Sequence, residues 1–170
     1  MHLTDAKQSQ TLNDVQLLWE SRFGGPRLSL DFRLAGWPMS RPARLQATRN
    51  RQTEPPATAW EFDTGPQPLP CSLLAVIWSP LGALGDEAQA EGQLSWADVP
   101  EGWEGVAKVH FSHVDLDRLF TGRFPHKLSG DAHLDLDHLR WGSGRVLQAT
   151  GTLATDGGVV SHSLLASMAS

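Results

Sequence analysis

Arg27-Leu28-Ser29-Leu30-Asp31-Phe32-Arg33-Leu34 alternates polar and apolar residues without a break. Successive side chains of an extended chain point to opposite faces. Leu28, Leu30, Phe32 and Leu34 therefore share one face, and Arg27, Ser29, Asp31 and Arg33 the other. A helix, with its longer period, would scatter both sets around its axis. The stretch reads as a strand with one dry and one wet side.

The same period recurs outward in both directions. It appears at Val15-Leu17-Trp19, Ala43-Leu45-Ala47, Trp60-Phe62, Leu94-Trp96 and Ala107-Val109-Phe111. It returns where Ala132-Leu134-Leu136 interleaves with Asp131, His133, Asp135 and Asp137. Gly24-Gly25-Pro26, Pro100-Glu101-Gly102, Gly142-Ser143-Gly144 and Asp156-Gly157-Gly158 supply residues for tight reversals. The intervals leave no room for the helices that parallel strands need. The fold class is all-β, a curved antiparallel meander with one apolar face (a groove or half-barrel). Its strongest hairpin pairs Leu128–Arg140 with Arg145–Ala154.

Short helices are expected at hairpin ends and at the C-terminus. Ser79 would cap one, with Pro80 at its first position and Gly85 ending it. Asp115 would cap Leu116–Phe120, ended by Gly122, and Ser161 would cap a helix through Leu164, Leu165 and Met168. Polar residues 1–10 suggest a disordered N-terminus, and 11–170 a single β-rich domain. Gln52–Ala57, with Pro55-Pro56, reads as a loop. A strand, tryptophan, glycine-turn, strand unit recurs weakly along the chain, as in a repeat protein.

Of 170 residues, 40% are hydrophobic and 19% charged, with a formal net charge of −5. This balance suits a globular chain and gives no electrostatic reason to expect nucleic acid. Arg41, Arg44, Arg49 and Arg51 form the basic cluster, read as a solvated face or loop, with anionic lipid headgroups as the alternative partner. The single Cys71 has no disulfide partner and sits beside the apolar run Leu73–Trp78, as a buried inert thiol would. The first twenty residues carry no secretion signal. Between Thr64 and Gly85 no residue is charged, but Pro66, Pro68, Pro70 and Pro80 interrupt the stretch, so it does not read as a membrane span.

No nucleophile elbow, phosphate loop or dinucleotide fingerprint is present, and the chain reads as non-enzymatic, with no cofactor. His110 and His113, three apart on a strand, would lie on opposite faces, as would His133 and His138. No metal is expected. The paired acids Asp115/Asp117 and Asp135/Asp137 read as a helix cap and a solvated face. Seven tryptophans accompany no tyrosine. Trp19, Trp60 and Trp96 keep register with apolar neighbours and read as core, while aromatic platforms for sugars are the other reading.

The segment Phe124-Pro125-His126-Lys127-Leu128-Ser129-Gly130 continues through Ala132, Leu134, Leu136, Leu139 and Trp141. Gly144-Arg145, Ala149-x-Gly151-x-Leu153 and Gly158-Val159-Val160-Ser161-x-Ser163-Leu164-Leu165 follow. From about Gly92 to Ser167 this resembles the C-terminal repeat region of AsmA/TamB-like bacterial envelope proteins. More distantly it is similar to the N component of the type II secretion apparatus. The first resemblance implies a long sheet folded into a groove with a greasy inner face along which lipid chains slide. This chain, shorter and without the family's membrane anchor, reads as a fragment of a longer repeat protein, periplasmic or envelope-associated. Its expected role is lipid transport or envelope integrity, through apolar contact. Groove candidates are Leu28, Leu30, Phe32, Leu94, Trp96, Val109, Phe111, Leu134 and Leu136. Expected partners are phospholipid or other apolar chains, other envelope proteins or missing parts of a longer chain, and further copies meeting at sheet edges. A structural part in a periplasmic secretion assembly and a carbohydrate-binding β-sandwich are the alternatives.

Overall fold

The computed structural model describes residues 2–5, 8–75, 78–100, 102–120 and 128–160. The strands are β1 His2–Asp5, β2 Gln8–Arg22, β3 Gly25–Leu34, β4 Ala43–Asn50, β5 Ala57–Asp63, β6 Leu69–Pro70, β7 Gln89–Val99 and β8 Gly102–Asp115. β9 Leu128–Ser129, β10 Asp131–Gly142, β11 Arg145–Thr155 and β12 Val159–Val160 follow. Two short helices, α1 Cys71–Leu74 and α2 Leu116–Phe120, and a 3₁₀ helix at Ser79–Leu84 interrupt them.

The main sheet is open and runs β1-β2-β3-β4-β5-β7-β8-β10-β11, with β6 pairing the start of β7. Neighbours in sequence are thus neighbours in space, as an antiparallel meander requires, and the all-β expectation holds. β9 and β12 form a separate two-stranded ladder. Near the N-terminus, His2–Asp5 pair with Gln8–Thr11, as β1 with β2.

Turn chemistry explains the hairpins. Ser143 and Gly144 both have positive φ (52° and 74°), the type I′ pattern whose twist matches the flanking strands β10 and β11. Phe23 and Gly24 close β2 onto β3. The next residue, Gly25, has φ 136°, and a Cβ there would lie 1.8 Å from the carbonyl oxygen of Arg49. Only glycine lets the β2–β3 turn lie this close to the end of β4.

The chain divides into two compact units. The first comprises residues 1–68, 91–109 and 136–150. Its core contains Leu12, Phe32, Leu34, Met39, Ala43 and Phe62, all buried. The loop after β3 folds back on this core. Its Met39 Sδ accepts a hydrogen bond from the Leu34 N–H at 3.3 Å, and the Trp37 indole N–H donates to the Pro68 carbonyl at 2.7 Å.

The second unit comprises residues 69–90, 110–135 and 151–170. Cys71, Leu73, Leu74, Leu81, Leu84, Val114 and Leu116 are buried in it. Asp115 caps α2 as expected, its carboxylate accepting from the Arg118 N–H at 3.1 Å. Ser79 does not cap its helix. The capping position falls on Trp78, with no side-chain cap, and the turn winds as a 3₁₀ helix with Pro80 near its start and Gly85 at its end. Ser79 follows that capping residue, so its hydroxyl is not placed to accept from the first free N–H groups. The expected end of α2 at Gly122 and the helix from Ser161 lie outside the described residues.

Among the described residues, no helix is long and apolar enough to cross a membrane.

Candidate functional site

In the first unit, strand register aligns the apolar side chains of β2, β3, β4, β5 and β7 into two cross-strand rows. One runs Leu17–Leu30–Leu45–Phe62–Leu94 and the other Trp19–Leu28–Ala47–Trp60–Trp96. All lie on one face, because residues directly opposite one another in a ladder point the same way. With strands ~4.8 Å apart, the rows extend about 19 Å across the sheet.

This face is graded along the strands. Towards one end Leu12, Phe32 and Leu34 are 6%, 8% and 4% exposed. Towards the β2–β3 turn, Leu17 and Trp19 are 66% and 64% exposed, and Leu28, Leu30, Trp60 and Trp96 are half-buried. The face is closed at one end and open at the other. At the open end Trp60 and Trp96 stack with ring centroids 6.1 Å apart and planes inclined by 5°. The indole nitrogen of Trp60 is buried and finds no acceptor among the described residues.

The opposite face carries the polar rows Gln16–Asp31–Arg44–Asp63–Gln93 and Leu18–Ser29–Gln46–Glu61–Ser95. Arg44 grips Asp31 with two hydrogen bonds of 2.7 and 2.9 Å. This bond to Arg44 holds the Asp31 carboxyl below its usual range. The Arg27 guanidinium donates to Gln46, whose amide in turn donates to Glu61 at 3.3 Å. Arg27, Arg44, Gln46, Glu61, Asp63 and Lys108 help line an open trough of about 580 Å³ on this side. Its carboxylates and cations neutralise one another, which leaves the trough without a dominant charge.

The sequence-expected groove residues divide accordingly. Leu28, Leu30, Leu94 and Trp96 fall in the two rows. Phe32 shares their face but is buried, as is Val109. Leu136 is half-buried in the first unit. Phe111, buried, and Leu134, half-buried, belong to the second. Leu17, Trp19, Leu45, Ala47, Trp60 and Phe62 complete the rows. Their period-two spacing was visible in the chain, but which strand pairs with which was not.

Two expectations are corrected here. Trp19 keeps the expected register but not the expected burial. β1 covers only the start of β2, at Gln8–Thr11, so among the described residues the segment carrying Trp19 is a sheet edge. The second concerns the histidines. His113 has φ 55°, a left-handed backbone that interrupts the alternation of β8. This brings His113 to the same side as His110. The His133 ring lies between them, its centroid 5.9 Å from that of His110 and 6.2 Å from that of His113. His110 Nδ1 is 2.5 Å from Asp135, and His113 Nδ1 is 3.0 Å from Asp131. Even so, no three His, Cys, Asp or Glu side chains among the described residues are placed to hold one metal ion.

Compared with family models, characterised proteins and solved structures, the chain matches none.

Proposed function

We propose that the open apolar face of the first unit holds an acyl chain, and that the protein is a non-enzymatic lipid-handling component of a bacterial cell envelope. The observation that carries this reading is the pair of unbroken cross-strand rows, half-exposed at the Trp19–Trp96 end. Exposed apolar surface that is contiguous, unlike scattered leucines, marks a binding surface. The rows extend about 19 Å, against the ~15 Å depth of one bilayer leaflet, so one extended chain fits across them. The grading from closed to open supplies a floor and an entrance. The envelope setting rests on the AsmA/TamB resemblance.

Native mass spectrometry with lipid extraction, on protein purified from a bacterial host, tests the reading. Co-purified phospholipid that is lost in Leu30→Asp, with the circular dichroism spectrum retained, is the expected result. A lipid-free, folded wild-type protein would sink it.

A scaffolding role in a larger assembly is the second reading, favoured by β11. All its residues from Arg145 to Thr155 are exposed, and it ends the main sheet. A strand of this length with one charged residue is a template for a further strand.

A further inference from the structure

We infer that the β2–β3 turn is a docking tip for an anionic phospholipid surface. Phe23 occupies that turn and is 100% exposed, the most exposed large apolar side chain described. Burial within the fold gives no reason for it. A fully exposed aromatic ring at a tight turn is suited to the headgroup layer of a bilayer, where an apolar body can leave water.

The charge around it is equally local. The Arg51 N–H donates to the Gly24 carbonyl at 3.0 Å, and Gly25 packs on the backbone of Arg49, so the β2–β3 turn and the β4–β5 loop form one tip. Residues 20–27 and 49–54 carry Arg22, Arg27, Arg49 and Arg51 against Glu20, which lies opposite Arg27, and Glu54. Four arginines and two glutamates make a formal +2 at this tip, in a chain whose net charge is −5. Cations concentrated around an exposed aromatic complement anionic headgroups over acyl chains.

Position links the tip to the apolar face. Trp19, opposite Leu28, belongs to the row nearest the turn and is 64% exposed. A tip seated on a bilayer puts the open end of the rows at the lipid surface. The inference deepens the acyl-chain reading and rests on it for the purpose of docking. Vesicle binding and lipid co-purification are measured separately, so either can fail alone.

Flotation of the full chain with phosphatidylcholine vesicles, with and without phosphatidylserine, tests it. Binding is expected only with phosphatidylserine present, and to weaken as salt is raised. Phe23→Asp should reduce it at least tenfold, Arg51→Ala about fivefold, and Arg145→Ala not at all. Phe23 and Arg51 are exposed, so both variants should keep the wild-type circular dichroism spectrum. Absence of flotation with either vesicle, or flotation that survives both Phe23→Asp and Arg51→Ala, overturns the inference. So does a vesicle-blind wild type whose oligomer dissociates on Phe23→Asp, which would assign the tip to a second copy.

Discussion

Trp60 and Trp96 lie directly opposite each other on β5 and β7, their rings nearly parallel and 6.1 Å apart. Each stands in the same row as Trp19, Leu28 and Ala47. Cross-strand aromatic pairs contribute roughly 0.2–1 kcal/mol relative to an alanine pair. Trp60→Ala removes both the pair and a half-buried side chain. The expected loss is about 2 kcal/mol, below the range for fully buried tryptophan. Urea denaturation should show a lower midpoint with an unchanged slope for Trp60→Ala, and the Trp60→Ala/Trp96→Ala double variant should lose less than the two singles together.

Asp31 and Arg44 give the polar face a pH dependence of defined sign. The hydrogen bonds from Arg44 depress the Asp31 pKa in the folded chain. A depressed carboxylate contributes stability that is present above its unfolded pKa of about 3.9 and lost as pH falls through the folded value. The Arg44 side chain is 58% exposed, so solvent screening holds the contribution to about 0.2–1 kcal/mol. Carboxyl NMR titration should place Asp31 below the ordinary aspartate range in the wild type and near it in Arg44→Ala. The stability difference between the two proteins should disappear below the folded Asp31 pKa. A difference that persists there would mean that Arg44 acts through packing.

Cys71 should be chemically silent in the native protein. Its side chain is fully buried, its N–H donates to the Ala88 carbonyl at 2.8 Å, and burial pushes the thiol up to about 12. Only the thiolate reacts, so at pH 8 both access and ionisation oppose labelling. Iodoacetamide should modify the chain at the rate at which it opens and not at the rate of a free thiol. Labelling in urea should rise in parallel with the loss of structure. Fast modification of the native chain would show that the segment around α1 opens separately.

Strand positions and the dry side of each strand were legible because alternation is a local property. Arg27–Leu34 specifies its two faces without reference to any neighbour. The rows were less legible. Trp60 meets Trp96 only because β6, α1 and the 3₁₀ helix leave the path between β5 and β7, and nothing local in Leu69–Ala90 encodes that pairing. The exposure of Trp19 was illegible for a related reason, since edge position depends on where β1 stops. At Ser79 the cap rule chose a residue one place too late, in a short turn whose Pro80 and Gly85 were nonetheless correctly read.

The histidine cluster of the second unit shows most directly where period-two reasoning stops, and it supports a prediction that opposes strand propensity. On a regular strand His113 would face away from His110, and replacing it with valine would be favourable or neutral. The observed φ of 55° reverses this. A β-branched side chain is poorly accommodated in the left-handed region, at a cost of roughly 1–2 kcal/mol, whereas glycine enters it freely. The pairing with Asp131 that either variant loses is between exposed groups and contributes less than about 1 kcal/mol. His113→Val should therefore lower stability by about 2 kcal/mol, and His113→Gly should stay within about 1 kcal/mol of wild type. The pair of urea midpoints decides between the two conformations. Valine above glycine would mean that β8 runs straight through His113, and that the three imidazoles do not share a face.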